Sequence, residues 1–283
     1  MSMSLHLSTP LQATTEGDFG FSVKRLDNRI LAQSGGALVA LDDFKVRGRP
    51  FPPHPHAGFA AVTYVFDDSE GGLRSADSLG NDISVGPGGI VWTHAGSGVL
   101  HHEVPSDRDR QLHGVQLFVN LSPSSKLTSA QTLWLDAPAV PEWHSERQDR
   151  VRIVVGEYRG ILSPLHPPEA FTLLDVQLRA DLAFDIEAAQ RGCIYIESGR
   201  VEVAADAETR VLSAGQAIMV RGAGRVHVAA QPAARLLFLR SIAIDAPLVL
   251  HGPFIMNTQA QVADAIARYT RGEMGCLTPL PSE

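Results

Sequence analysis

Residues 95–105 read AGSGVLHHEVP, and the layout of this stretch decides what kind of protein the chain makes. A glycine turn runs directly into Val99, Leu100, His101, His102 and Glu103, the signature of a turn followed by a strand. Side chains of a strand alternate between its faces, so His101 and Glu103 share one face and His102 takes the other. Upstream, residues 51–59 read FPPHPHAGF. The flanking prolines favour extended backbone, which puts His54 and His56 on one face too. Two such pairs on facing strands of a barrel converge and gather three imidazoles and one carboxylate around an open interior.

That donor set suits a divalent first-row metal. Imidazole accepts Fe2+, Ni2+, Cu2+, Mn2+, Co2+ or Zn2+, and a carboxylate shifts the preference toward the harder, oxygen-using members. A closed structural zinc site more often uses thiolates. Four protein ligands leave a coordination position free, as a catalytic or ligand-binding metal requires. Either motif alone would read as a polar surface loop. Together, separated by the GPGG turn at 86–89 in a chain of short strands, they predict a metal site at His54, His56, His101 and Glu103.

The rest of the chain fits a β fold. Short runs rich in Val, Ile, Leu, Phe and Tyr, among them AAVTYVF, GVQLFVNL, RIVVGEY, FTLLDVQL and RLLFLRSI, alternate with Gly and Pro turns. Such spacing indicates an all-β sandwich or barrel. The exception is the end, TQAQVADAIARYTRGE, where Val262, Ile266 and Tyr269 fall at helical spacing and Gly272 is placed to stop the helix. Two weakly similar halves are visible, YVFDDSEGG…ISVGPGGIVWTHAGSGVLHHEV and YIESGRVEV…LSAGQAIMVRGAGRVHVAA, and read as an internal duplication of one β-barrel unit. The expected division is an N-terminal metal-binding domain at 1–125 and a C-terminal domain without a metal site at 126–283, with a strand-free linker over 122–150. The second half offers only His227 where the first has its four candidate ligands.

Composition narrows the function. The 283 residues are 44% hydrophobic and 19% charged with a net charge of -7, ordinary for a globular protein. No Lys/Arg run is present, which disfavours direct nucleic-acid binding. Cys193 and Cys276 form no CxxC motif, a usage that suits a reducing compartment. No basic segment precedes a long apolar core at the start, and no apolar run approaches the roughly 18 residues of a membrane span. A cytoplasmic location, with no membrane contact, is the expectation.

PHPHAGFAAVTYVF, VGPGGIVWTHAGSGVLHHEVP, HGVQLFVNL and HGPFIMNT at 251–258 resemble, in order and spacing, the motifs of the pirin family. The resemblance implies a bicupin: two β-barrel (jelly-roll) cupin domains closed by a short C-terminal helical segment, with one metal, most often iron, in the N-terminal barrel. It assigns the ligands to the positions of His54, His56, His101 and Glu103. It also implies two functions. One is a quercetin 2,3-dioxygenase-type oxidoreductase that takes a flavonol and O2, with Glu103 both ligand and catalytic base. The alternative is a non-catalytic metal- or redox-sensing regulator that binds a protein partner, a transcription cofactor or a metabolic enzyme. The chain departs from many members in carrying Ala57 and Ser97 where arginines are common, which is expected to lower the positive potential at the metal mouth.

Other residues take lesser roles. His94 is expected on a loop and His227 in a core or rim. His6, His144 and His166 are expected at the surface, and Trp92 and Trp143 in packing. Asp77 and Ser78 fit an Asx or Ser turn. HGPFIMNT suits chain crossing and domain packing. In LHGVQLFVN, either Gln116 and Phe118 or His113, Val115 and Leu117 face the lumen; the sequence leaves this open.

Overall fold

The computed structural model describes residues 4–18, 20–48 and 51–280. The protein is mostly β, with two cupin domains. In the N-terminal half, a seven-stranded sheet orders its strands 131–135, 90–94, 59–65, 112–120, 38–46, 21–25 and 14–17. A smaller four-stranded sheet, ordered 54–56, 99–105, 73–77 and 82–85, faces it. The C-terminal half is built on a ten-stranded sheet whose long members are Gln190–Ala205 and Gly224–Ile242.

Strand periodicity explains how the large N-terminal sheet serves two cores. In Leu112–Asn120, Val115, Leu117 and Val119 join Tyr64, Ile90 and Trp92 in a cluster with Leu173, Tyr195, Leu237 and Leu239 of the other barrel. Gln116 and Phe118, on the opposite face, line the first barrel's cavity. The choice left open in the sequence is thereby resolved. The C-terminal lumen is filled by Val151, Ile153, Leu174, Val176, Phe184, Ile194 and Phe238, with Phe184 and Phe238 stacked at 4.3 Å. His227 is exposed and lies outside that core.

The segment at 122–150, expected to lack strands, contains two: Gln131–Leu135 pairs with Ile90–His94 of the first barrel, and Glu142–His144 pairs with Arg150–Val155 of the second. Conversely, the N-terminal strands His6–Leu7 and Leu11–Gln12 pair with Gln216–Arg221 in the C-terminal sheet. The C-terminal helix runs Gln259–Thr270 and starts in a capping box between Thr258 and Gln261. It buries Val262 and Ala265 but leaves Ile266 and Tyr269 exposed. No helix among the described residues is long and apolar enough to cross a membrane.

Two knots of partnered charge are buried between the barrels. Arg235 donates to both carboxylate oxygens of Asp175 at 2.9 and 2.6 Å and reaches Asp67 and Asp68, while the Tyr64 hydroxyl donates to Asp175 at 2.7 Å. A second knot holds Asp43 between His113 (3.0 Å), the Tyr195 hydroxyl (2.7 Å) and Lys24 (3.4 Å). Removing one partner leaves an uncompensated buried charge. Arg235→Met is therefore expected to destabilise the protein by about 3–5 kcal/mol, measured by urea unfolding. Burial pushes the Asp43 and Asp67 carboxyls up, but their hydrogen-bonded and cationic partners outweigh it and hold both below the ordinary value. A depressed folded-state pKa contributes stability that is present above the unfolded value and lost as pH falls through the folded one. The melting temperature should hold near neutrality and fall below about pH 4, and Asp67→Asn should flatten that fall.

Candidate metal centre

The site grows from two short strands of the small sheet. His54–His56 pairs antiparallel with Val99–Pro105, placing His101 opposite His54 and Val99 opposite His56. This register brings the rings of His54, His56 and His101 together with centroids 4.5–4.8 Å apart. Each offers a nitrogen within 4.8 Å of the others.

The hydrogen bonding prepares these nitrogens for a cation. The Nδ1–H of His54 donates to the Pro52 carbonyl at 2.9 Å, which leaves Nε2 as a lone pair 3.1 Å from Nε2 of His101. Both ring nitrogens of His56 and Nδ1 of His101 are buried without a hydrogen-bond partner. Orphaned buried polar atoms are rare in folded proteins, and a divalent metal satisfies imidazole lone pairs directly. Burial first, then the neighbouring His54, pulls the pKa of His56 down to about 3 against the opposing pull of the Pro253 backbone, which makes no hydrogen bond of ordinary geometry to the ring. Burial, followed by His56 and His54, moves His101 well down. Neutral imidazoles are the form that ligates, so the residues present fit a metal.

Glu103 shares the His101 face, as strand parity requires, but its carboxylate stands outside the three-histidine cluster. It accepts from the Thr63 hydroxyl at 2.6 Å and the Gln116 amide at 3.5 Å. Burial raises its pKa to about 7 against the hydrogen bonds from Thr63 and Ser75. Glu103, His54, Gln116 and Phe118 line a cavity of about 410 Å³ whose walls are largely apolar, with Phe21, Phe44 and Phe51 among them. Arg25 and Asp42 also line it and are paired with each other at 2.8–3.2 Å.

Several residues lie elsewhere than expected. His94 belongs to a strand, not a loop; it is buried, bonds to Thr128 Oγ1 at 3.1 Å, and shares the face of Ile90 and Trp92 away from the three histidines. His102 sits on the outer face, where its Nε2–H donates to the Phe51 carbonyl and its Nδ1 accepts the Leu280 N–H. Ala57 packs against Phe254 and Met256, and the Ser97 carbonyl accepts from Arg268. Neither lines the cavity; both instead meet the C-terminal segment. Asp77 forms the expected Asx turn, accepting from Leu79 N and Asn81 N. Thr63 is a part of the site that the sequence reading does not include. Thr63 is signalled only by its alternation with Tyr64 in a strand buried on both faces. Asp43, His113 and Glu197 form a second cluster of metal-binding residue types, but Asp43 there is already taken up by His113, Tyr195 and Lys24.

Two cupin barrels, one with an apolar interior and one with a three-histidine cluster opening on a cavity, define a bicupin protein whose candidate metal centre, among the described residues, lies in the first barrel. Comparison with known proteins narrows the class. The pirin family pattern matches residues 16–119 and the pirin C-terminal cupin domain matches residues 173–275. Human pirin is 30% identical over 291 residues, covering 97% of this chain and 94% of its own. The chain belongs to the pirin family. Among solved structures, a quercetin 2,3-dioxygenase from Acinetobacter baumannii superposes with a TM-score of 0.85 at 23% identity, covering 98% of this chain and all of that one. The Escherichia coli pirin YhhW in complex with nickel(II) superposes with a TM-score of 0.65 at 17% identity, over 85% of this chain and all of that one.

Dialysis of the purified protein against Co2+ or Ni2+ is expected to leave about one equivalent per chain, the number of metal-bound groups this single cluster can hold. His56→Ala and His101→Ala should each fall below about a tenth of an equivalent, the loss expected when one of three clustered imidazoles is removed, as read by elemental analysis.

Proposed function

We propose that the chain is a metal-dependent dioxygenase of the quercetin 2,3-dioxygenase type, acting on a flavonol or similar planar phenol with O2. His54, His56, His101 and Glu103 would hold one divalent metal, Fe2+ by preference. The observation that carries this reading is the conjunction of orphaned imidazole nitrogens on His56 and His101 with a cavity that opens beside Glu103. The quercetin dioxygenase name of a structural neighbour that covers nearly the whole chain supports the same reading. When bound, the metal would supply Lewis acidity, acidifying a coordinated hydroxyl and permitting redox chemistry with oxygen.

The chain's own residues do the rest. Phe21, Phe44, Phe51 and Phe118 offer ring faces and edges to a flat aromatic substrate. The paired Arg25 and Asp42 leave the wall without a free cation, which suits an uncharged phenol better than a carboxylate. Glu103, raised toward neutrality by burial, is placed to accept the substrate's hydroxyl proton, because a base is most effective with a pKa near the working pH. Thr63 and Gln116 hold its carboxylate from the opposite sheet. The unpaired thiols, Cys193 buried and Cys276 exposed, accord with a reducing, cytoplasmic setting.

The test is loss of quercetin absorbance in air by protein loaded anaerobically with Fe2+. Wild type should turn over and His56→Ala should not. Glu103→Gln should lower kcat by roughly 100-fold or more, the low end for loss of a general base. Equal slow loss in wild type and variant would mean background oxidation, and would transfer the site to a redox-sensing regulator with a protein partner.

A further inference from the structure

Lys126 is fully buried in a stretch, SPSSKLTSAQ, with the composition of a surface turn. Its Nζ donates to the Gly58 carbonyl at 2.7 Å, the Ile255 carbonyl at 2.8 Å and Asn120 Oδ1 at 2.6 Å. Gly58 stands two residues beyond His56. Ile255 lies on the segment that returns from the C-terminal barrel, crosses Ala57 through a parallel bridge at Phe254, and continues into the C-terminal helix. Asn120 ends a central strand of the large sheet. One ammonium thus joins three pieces of chain distant in sequence.

The surroundings leave little room for another arrangement. Gly58 adopts φ +82°, and a Cβ there would meet the Ile255 carbonyl oxygen at 2.0 Å. Its N–H donates to Gly96 O at 2.8 Å, in the turn that leads to His101. Ala57 and Ile255 exchange a further backbone bond at 3.0 Å. The same C-terminal strap grips the second ligand strand: Met274 closes on Gly98, and the Met274 carbonyl accepts from Ser78, whose Oγ accepts the Leu100 N–H. Burial pulls the pKa of Lys126 down to about 7, opposed by the Glu169 carboxylate; the three acceptor oxygens match the three donors of an ammonium.

We propose that Lys126 is a positioning residue for the metal centre: by tying the Gly58 carbonyl to the strap and to the large sheet, it fixes how the His54–His56 strand presents its rings to His101. The inference rests on the metal-site reading above. Partners that orient ligands without touching the metal affect its affinity about 10–100-fold when removed.

The experiment uses full-length protein and Co2+, whose visible absorption reports ligand geometry, with affinity measured by chelator competition. Lys126→Met keeps the stem and removes the donors. Val228→Ala, in the filled C-terminal core, serves as a control for destabilisation alone. Lys126→Met, folded by circular dichroism, should bind Co2+ roughly 10–100-fold more weakly than wild type, with a shifted visible band, while Val228→Ala binds like wild type despite a lowered melting temperature. Wild-type affinity and spectrum in Lys126→Met would overturn the inference and leave the metal reading standing. A wild type that binds no Co2+ overturns both. Should Lys126→Met fail to fold, Asn120→Ala, which removes one of the three acceptors, is measured in the same way; an affinity and band unchanged from wild type would equally sink the proposal.

Discussion

Three imidazoles packed against one another, two of them buried and the third, His54, at the cavity wall, are the constraint on which the rest of this structure turns. The rings of His54, His56 and His101 stand edge to face, and three of their six nitrogens have no hydrogen bond. Each orphaned polar atom costs about 1–3 kcal/mol. Charging the rings is no remedy, since burial opposes it and each ring repels the next. Such a cluster is strained unless a cation fills its centre, and a fold keeps it only if backbone elsewhere holds the strands in register. The Pro52 carbonyl on His54 and the Phe51 carbonyl on His102 show the same short segment anchoring both faces of the site.

The two barrels share one architecture and use their interiors differently. In the C-terminal barrel, inward positions carry Leu, Val, Ile and Phe packed against one another, and the cavity of about 620 Å³ that reaches Leu174, Phe184 and Phe238 is lined by arginines and carboxylates with no histidine. In the N-terminal barrel the corresponding space is shared by a small apolar cluster around Val65, Leu73 and Val91 and by the histidines and Glu103. The outer face of the large N-terminal sheet carries the domain interface. Arg235 with Asp67, and the Tyr64 hydroxyl with Asp175, cross that interface and make it specific, because displacing either barrel would leave buried polar groups unpaired.

Most of this was legible wherever alternation has a period of two and one face is chemically marked. His54 with His56, and His101 with Glu103, declare a shared face in sequence, and the observed register brings the three histidines together. Legibility fails where both faces are apolar, as in Leu112–Asn120, since alternation then does not say which side is the lumen. It fails for edge strands such as Gln131–Leu135, whose largely exposed residues need no hydrophobic pattern. It fails most fully for Lys126, whose local sequence is polar and whose burial is imposed by Ile255, far along the chain. The orientation of Glu103 toward Thr63 is likewise a property of two sheets facing each other, not of either strand.

The strand that supplies two of the histidines is the least self-sufficient element of the site. It has three residues, lies at the edge of the four-stranded sheet, and carries Pro55 at its centre. Proline offers no N–H to a ladder, so such a strand gains little from pairing. On one side it has only the Val99–His101 register. On the other, the strap at Pro253–Met256 meets the residues just after it, through Ala57 and Gly58. A proline-centred edge strand does have an advantage: its backbone φ is restricted, so once its end is anchored the two rings have little freedom left. Two of the three histidines of the first barrel thus rest on a strand whose end is held by a segment that follows the second.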